Sequence, residues 1–287
     1  MLPAMAAKPS IAIVGAGRLG SALVPALMSA GYRIAEIISR RQGGSRRKAL
    51  ALAQKARARI SSLRDARLDA DLIWFCVPDR EIARVAKALA EKAGRKKLAF
   101  HSSGALTSDE LEGLRKRGAA VASVHPLMTF VTGSESALSG VPFALEGDAA
   151  AVRIARRIVR DLRAIPYTIR KTDKAAYHAW GAFTSPLIVA LLASAEQVAG
   201  AAGVGVVNAR QRMLPIVRQT VENYARLGPA GASSGPWVRG DIETVRKHLK
   251  VLKKIPEARS VYLALGQATL RYLPVGNRKK LRALLKS

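Results

Sequence analysis

Three glycines near the start of the chain have the spacing of an anion-binding turn. Gly15, Gly17 and Gly20 lie between one apolar run, a predicted strand, and a second apolar run, a predicted helix. In such a turn the first glycine permits the bend, the second lets a pyrophosphate approach the backbone, and the third lets helix and strand pack closely. The free N–H groups of the first helical turn, including Arg18 and Leu19, then face the anion. The sequence therefore predicts a dinucleotide site; the alternative is a glycine-rich structural turn.

The residues after the second predicted strand indicate which dinucleotide is bound. An acidic residue about 20 positions beyond the glycine motif usually accepts hydrogen bonds from the ribose hydroxyl of NAD. Here Ser39 stands at that place, followed by Arg40 and Arg41, while Glu36 lies inside the predicted strand. A hydroxyl and two guanidiniums suit a phosphate group. We therefore predict NADP(H) rather than NAD(H); the alternative is that both arginines belong to a generally basic surface.

Polar residues also follow three other predicted strands. In open α/β sheets, ligands bind beyond the carboxyl ends of the strands. The strand ends in question carry Val77-Pro78-Asp79, His101-Ser102-Ser103 and His125. We expect a cleft between two domains, lined by His101, Ser102, Ser103 and His125. The predicted cofactor-binding residues are Gly15, Gly17, Arg18, Leu19, Gly20, Ser39, Arg40, Val77, Pro78, Asp79 and Ser103.

Each strand-end histidine has a structural alternative, because a histidine in this place often caps a loop. A metal site built from His101, His125 and Cys76 is a further alternative, but no pair of these residues has the sequence spacing of metal ligands. Cys76 fits a small buried apolar residue. We therefore predict no metal.

Alternating strand and helix patterns predict the fold. The predicted strands are 11–14, 33–39, 70–77, 97–101, 119–124, 142–145 and 167–170. Helices are predicted between them at 21–30, 46–58, 80–93, 108–117 and 149–164. Beyond Lys171 the pattern becomes helical, with helices at 173–203, 208–227, 241–253, 257–273 and a short basic tail. This alternation predicts an α/β fold: a Rossmann-type doubly wound parallel sheet in residues 1–171 and an all-helical domain in residues 172–287.

Composition limits the remaining possibilities. The chain has 287 residues and a net charge of +28, which raises nucleic-acid binding as a possibility. The basic residues are dispersed and aromatic residues are few, so we expect a solvated basic surface without specific nucleic-acid binding. One cysteine excludes an intrachain disulfide, and the first ten residues lack the apolar region of a signal peptide. We therefore expect a cytoplasmic protein.

One segment is apolar enough to resemble a membrane span. Residues 182–207 are long enough to cross a bilayer. However, Glu196 and Gln197 would then lie inside it at a cost. A buried helix that is hydrophobic on all sides explains the segment better. We therefore predict no membrane association.

Four motifs together resemble one family. HSSGAL at 101–106, SVHPLMTF at 123–130, DKAAYHA at 173–179 and GPWVRGDIETVRKHL at 235–249 resemble bacterial Rossmann-like proteins with a C-terminal helical domain of unknown function, often labelled NADP oxidoreductases. That family is similar to deazaflavin-dependent NADP reductases, pyrroline-5-carboxylate reductases and the 6-phosphogluconate dehydrogenase-like superfamily. The resemblance implies NADP as cofactor and a homodimer formed through the helical domain, with the helix of 182–207 in the interface.

The same resemblance indicates catalytic residues. Dehydrogenases of that superfamily carry Lys-x-x-x-Asn on the first helix after the nucleotide domain, and this chain has Lys174-x-x-x-His178. The resemblance implies that Lys174 is a general acid and that His178 replaces the asparagine, with His101 and Ser102 as further candidates; a solvated lysine and a buried histidine are the alternative. The loop predicted at 235–241 carries Arg239, which could contact an anionic substrate, and Asp241, a candidate helix cap.

These observations favour an NADPH-dependent reductase that transfers hydride to a small carbonyl or imine held in the cleft between the domains. The alternative is an NADP(H)-binding sensor or scaffold without turnover, because no complete catalytic set is visible. The substrate and the use of a deazaflavin stay open.

Overall fold

The computed structural model of the chain describes residues 7–94, 97–131 and 138–286. It consists of two compact units, Met1–Ala182 and Phe183–Ser287. The predicted domain boundary after residue 171 lies eleven residues before the division between these units and stays a prediction.

The first unit is built on one eight-stranded sheet. Its strands are β1 (Ile11–Val14), β2 (Ile34–Ile38), β3 (Arg59–Ser61), β4 (Leu72–Phe75), β5 (Leu98–His101), β6 (Ala120–Pro126), β7 (Pro142–Gly147) and β8 (Ile165–Thr168). Their order in the sheet is β3-β2-β1-β4-β5-β6-β7-β8. The first six strands are parallel in the order 3-2-1-4-5-6, which is that of the Rossmann fold. The predicted α/β fold is therefore confirmed.

Two features of the sheet differ from the prediction. β6 and β7 are antiparallel, with Val124 opposite Leu145, so the sheet is not parallel throughout. β3 was not predicted, because its three residues are too few to show a periodic pattern.

Helices cover both faces of this sheet, and their apolar sides form the core together with the strands. These helices are α1 (Arg18–Ser29), α2 (Gly44–Ala56), α3 (Asp79–Ala90), α4 (Glu112–Arg115) and α5 (Ala149–Asp161). A further helix, α6 (Lys174–Thr184), begins in this unit after the last strand. The strands are almost continuously apolar because both faces are covered, and Trp74, Phe75, Phe100 and Phe143 are fully buried. The helix predicted at 108–117 is a 3-10 turn, Ser108–Leu111, followed by the short α4.

The second unit is helical in its described residues. It contains α7 (Pro186–Ala201), α8 (Val206–Gly231), α9 (Gly235–Arg239), α10 (Ile242–Leu252), α11 (Pro256–Tyr272) and α12 (Arg278–Leu284). Two predictions were wrong here. The helix predicted at 173–203 is interrupted at Ser185, because a residue before proline disfavours the helical conformation. The loop predicted at 235–241 contains α9, which has Pro236 in its first turn.

The apolar segment 182–207 is not a buried helix in the chain itself. Val189 on α7 is 65% exposed, and Leu187, Ile188 and Leu191 are also exposed. The prediction of burial was wrong because the described helices of this unit leave that side of α7 uncovered. By length and composition alone, the helical stretch Lys171–Ala201 could cross a membrane. The core helix of a soluble protein or a signal sequence meets the same criterion.

Candidate functional site

The glycine turn after β1 has the local geometry that its sequence predicts. Gly15 has a φ of +105°, and a side chain there would place its Cβ 2.7 Å from the carbonyl oxygen of Cys76. A Cβ on Gly20 would lie 2.2 Å from the carbonyl oxygen of Gly15. Gly17 is different, because its added Cβ would meet nothing closer than 3.9 Å. Packing therefore requires the first and third glycines, whereas the second leaves open space beside the start of α1.

That open space belongs to a cavity of about 620 Å³ in the first unit. The cavity lies at the carboxyl ends of β1, β2 and β4, where ligands bind in open α/β sheets. Gly15, Gly17, Ser39, Arg40, Val77 and Pro78, all predicted cofactor-binding residues, contribute to its lining. Arg18, Leu19 and Gly20 continue the turn into α1, and Asp79 and Ser103 belong to the neighbouring polar cluster described below.

The cavity lining is strongly basic. Arg40 and Arg41 are joined there by three arginines that sequence reasoning did not select, Arg64, Arg80 and Arg84. Arg80 and Arg84 lie on α3, and their helical spacing directly after the strand end was the available signal. The one acidic residue of the lining, Glu81, pairs with Arg84. Such a lining favours an anionic ligand.

The place that usually selects NAD has no carboxylate. Glu36 is buried inside β2, where it accepts hydrogen bonds from the backbone N–H groups of Arg67 (3.2 Å) and Leu68 (3.0 Å). Ser39 stands at the end of the strand, and the guanidinium of Arg46 donates to its Oγ at 3.3 Å. Hydroxyl and guanidinium groups therefore occupy the position where an NAD-binding protein would present an acid.

A second cluster of polar residues lies at the carboxyl ends of β5 and β6. His101 is fully buried, and both of its ring nitrogens are engaged. Nε2 lies 2.9 Å from the carbonyl oxygen of Thr107, and the N–H of Ser103 donates to Nδ1 at 3.1 Å. Burial lowers the pKa of His101 to about 4, so the ring is neutral at pH 7. His101 thus holds the loop after β5 in place, which agrees with the alternative interpretation of this histidine as a loop cap.

The two serines after His101 have different environments. Ser103 is buried; its hydroxyl donates to Asp79 Oδ2 at 2.7 Å and accepts from the backbone N–H of Leu106 at 2.9 Å. It therefore joins the start of α3 to the loop after β5. Ser102 is only half-buried, and its Oγ accepts from Trp74 Nε1 at 2.9 Å, which leaves the hydroxyl proton for another acceptor.

Lys174, the predicted general acid, is enclosed within this cluster. Its side chain is 2% exposed, and its Nζ donates to the carbonyl oxygen of Ser103 (2.7 Å) and to Ser123 Oγ (2.6 Å). Burial lowers the pKa of Lys174 to about 8, although the carboxylates of Glu146 and Asp79 act in the opposite direction. The ammonium group therefore links α6 to the ends of β5 and β6; its predicted catalytic role stays a prediction.

His125 and His178 come together in the same cluster, although 53 positions separate them. Their ring centroids are 6.5 Å apart, and His178 is exposed. His125 Nδ1 lies 2.7 Å from the hydroxyl of Tyr177, a residue that sequence reasoning did not select. The signal for Tyr177 was its place in the DKAAYHA motif between Lys174 and His178.

The described residues include no group of three or more His, Cys, Asp or Glu that could hold a metal ion. Cys76 lines the cavity, and burial raises the pKa of its thiol to about 12, so the thiol is protonated at pH 7.

The motif at 235–249 packs against α11 in the second unit. Asp241 caps α10 by accepting from the N–H (3.0 Å) and the hydroxyl (2.7 Å) of Thr244, which confirms the predicted cap. The Tyr262 hydroxyl lies 2.9 Å from His248 Nδ1 and accepts from Trp237 Nε1 at 3.1 Å. These bonds explain the motif by packing; contact of Arg239 with a substrate stays a prediction.

The sheet order and the glycine turn define a Rossmann-like α/β protein. Residues 4–126 match the Rossmann-like domain, and residues 141–269 match a domain of unknown function, DUF2520. The chain thus combines a Rossmann-like domain with a DUF2520 domain. Among curated proteins, none matches it in sequence.

Solved structures share this fold at low sequence identity. A Bacteroides fragilis protein with the provisional name NADP oxidoreductase is 24% identical, covers 91% of this chain and 97% of its own, and has a TM-score of 0.76. A Thermotoga maritima protein is 22% identical, with coverages of 96% and 99% and a TM-score of 0.72. An imine reductase from Myxococcus stipitatus, solved with NADP⁺, is 17% identical, with coverages of 96% and 100% and a TM-score of 0.64.

Proposed function

We propose that this chain is an NADP(H)-dependent oxidoreductase that reduces a small carbonyl or imine compound. The observation that carries the proposal is the cavity at the glycine turn, which is lined by five arginines and has no carboxylate at the ribose position. The open approach to Gly17 and the start of α1 suits a pyrophosphate, and Arg40 with Arg41 suits the phosphate on the adenosine ribose.

The residues fit the cofactor in distinct ways. Gly17 and the first turn of α1 would hold the pyrophosphate through backbone N–H groups, and Arg40 would pair with the ribose phosphate. Gly15 shapes the turn, and its own N–H donates to the carbonyl oxygen of Ile38 at 2.8 Å. When bound, the reduced cofactor supplies hydride. The polar cluster beyond β5 and β6 would then accommodate the substrate, with half-buried Ser102 and His125 as its accessible polar groups. His101 and Ser103 lie on either side of Ser102 and fix its loop through their internal hydrogen bonds.

Proteins of the same fold suggest which class of reaction to test. The Myxococcus stipitatus protein is an imine reductase crystallised with NADP⁺, and the Bacteroides fragilis protein is named for NADP. Identity this low carries the fold alone, so the argument for this chain rests on its own cavity.

The test is consumption of NADPH by the full chain in the presence of cyclic imines, ketones and 2-keto acids. We expect NADPH binding and turnover of at least one of these classes. Binding without turnover would favour a sensor or scaffold, which the internal bonding of His101 and Lys174 also permits. Absence of binding to either nicotinamide nucleotide would contradict the proposal entirely.

We further propose that the second unit forms a homodimer through its exposed apolar residues. Phe183, Val189 and Ile216 are each more than 60% exposed, which is costly for side chains of this size in water. We expect sedimentation equilibrium to give twice the chain mass of 30.7 kDa, and Val189→Asp to lower it to the monomer. A monomer that partitions onto lipid vesicles would contradict the dimer and favour the membrane alternative.

A further inference from the structure

Gly104 lies between two imidazole rings. A Cβ added to it would lie 2.8 Å from His125 Nε2 and 2.7 Å from His178 Cδ2, both too close for a real side chain. Gly104 is absent from the glycines with positive φ, so other residues could adopt its backbone conformation. Gly104 therefore packs directly against both rings, and a larger residue would require an imidazole ring to shift.

Tyr177 determines the orientation of the His125 ring. Its hydroxyl lies 2.7 Å from Nδ1, and the two rings meet edge to face with centroids 5.4 Å apart. Tyr177 is 7% exposed, so its hydroxyl needs a partner inside the protein. Either group can donate in this bond, depending on the tautomer of the ring, and the hydroxyl of Tyr167 can also pair with that of Tyr177. In the described part of the chain, no hydrogen bond engages Nε2. A neutral ring that accepts at Nδ1 carries its proton on Nε2.

The surroundings keep this ring neutral. Burial lowers the pKa of His125 to about 3, and the nearby Lys174, His178 and His101 add to the effect. The hydroxyl of Tyr177 also stays protonated, because burial raises its pKa. A neutral imidazole N–H can polarise a carbonyl oxygen without giving up its proton in the ground state.

We propose that the Nε2–H of half-buried His125, oriented by Tyr177 and lying beside Gly104, is the donor that binds the oxygen or nitrogen of the substrate's reducible double bond. The inference rests on the proposed function. In the reaction, the substrate carbon gains hydride from NADPH, and the π electron pair moves to the oxygen or nitrogen held by Nε2–H. A proton from solvent then completes the alcohol or amine. The donor strengthens its hydrogen bond as negative charge develops, which accelerates the reaction.

The first test needs no substrate. Nitrogen-15 spectra of the imidazole rings, recorded with and without bound NADP⁺, report the tautomer of His125, with His125→Asn used for assignment. We expect neutral ring with the proton on Nε2 from about pH 8 to about pH 5. Tyr177→Phe should shift the population towards the Nδ1–H tautomer. A proton on Nδ1 in the unmodified protein, or an imidazolium in this range, would overturn the proposal.

The second test separates donation from structure. An asparagine at 125 places its amide near the position of Nδ1, whereas a glutamine reaches the position of Nε2. We expect His125→Asn and Gly104→Ala to lower kcat by about 100-fold, the size typical of losing one such donor. His125→Gln should restore part of it, and the Kd for NADPH should stay within about 2-fold because the cofactor cavity is untouched.

Gly113→Ala is the matched control, because its added Cβ would meet nothing closer than 3.9 Å. It should leave kcat unchanged. Full activity in His125→Asn would overturn the inference while leaving the reductase proposal intact. If the protein binds NADPH but reduces none of the offered compounds, the reductase proposal fails. The nitrogen-15 measurement then still shows whether His125 carries a donor proton on Nε2.

Discussion

Replacing Lys174 with methionine tests whether its ammonium is enclosed, as the structure shows, or open to a substrate. Nζ is held by the Ser103 carbonyl oxygen and Ser123 Oγ, and the side chain is almost fully buried. Methionine keeps most of the apolar length without the charge. The two partners stay satisfied in the variant, because Ser123 Oγ also donates to the Ser103 carbonyl oxygen at 3.1 Å. The substitution therefore leaves no unpaired polar group behind.

The magnitude follows from the pKa of Lys174, about 8 against an ordinary 10.5. This difference corresponds to about 3 kcal/mol of unfavourable free energy for keeping the group charged in the folded chain near neutral pH. Between these two values the unfolded chain binds the proton and the folded chain does not, so stability rises with pH. From pH 8 to about pH 9.5, Lys174 should add about 2 kcal/mol to the free energy of unfolding, and Lys174→Met should lack this increment.

The assay is urea unfolding of both proteins at several pH values, followed by circular dichroism. Groups other than Lys174 titrate in both chains, so the difference between the two curves isolates its contribution. Lys87→Met, an exposed position on α3, is the control and should follow the unmodified protein. Parallel curves for the unmodified protein and Lys174→Met would refute the enclosed ammonium and favour a solvated lysine.

Three further substitutions test the cavity, the turn and the helix cap. Arg40→Asp should weaken NADPH binding by at least about 30-fold, because a charged hydrogen bond is worth about 2 kcal/mol, and should leave NADH binding within about 3-fold in calorimetry. The control Arg47→Asp makes the same charge change on α2 and should alter the affinity for neither nucleotide. Equal effects of Arg40→Asp on both nucleotides would contradict the phosphate assignment. Gly20→Ala should abolish nucleotide binding or lower the melting temperature in thermal unfolding, because its Cβ would lie 2.2 Å from the Gly15 carbonyl oxygen; a native-like variant with full affinity would show that the turn is not required. Asp241→Ala should cost about 1 kcal/mol of unfolding free energy in urea, Asp241→Asn should retain most of the cap, and similar losses in both would contradict it.

The sequence predicted those parts of the fold that depend on local pattern. Of strands β1 to β6, all but β3 were predicted from apolar runs between helices, and the glycine turn was predicted from its spacing. The antiparallel pairing of β6 with β7 was not visible, since strand direction depends on the path of the connecting chain rather than on composition. The break at Ser185 was encoded by Pro186, but the surrounding apolar residues favoured one continuous helix.

The candidate site was predicted in outline only. His101, Ser103 and Lys174 were predicted site residues because of their types and positions. In the structure their side chains are buried and make hydrogen bonds within the protein, which the sequence does not show. Tyr177 was overlooked because its contact with His125 joins two distant segments. Such contacts arise from tertiary packing, and periodicity carries no information about them.

The exposed side of α7 shows the same difference between composition and packing. An apolar segment predicts burial somewhere, but not by which partner, and the chain alone leaves Val189 and Leu187 exposed. Whether a second copy covers them is decided by the measurement of mass proposed above.

The central claim is that this chain binds a 2′-phosphorylated dinucleotide in its arginine-lined cavity. Calorimetric titration of the full chain with NADPH and with NADH tests this claim most directly. The account predicts that NADPH binds at least about 10-fold more tightly, a difference of about 1.4 kcal/mol that one guanidinium–phosphate pair readily supplies. Equal affinity for the two nucleotides, or no detectable binding of either, would contradict it.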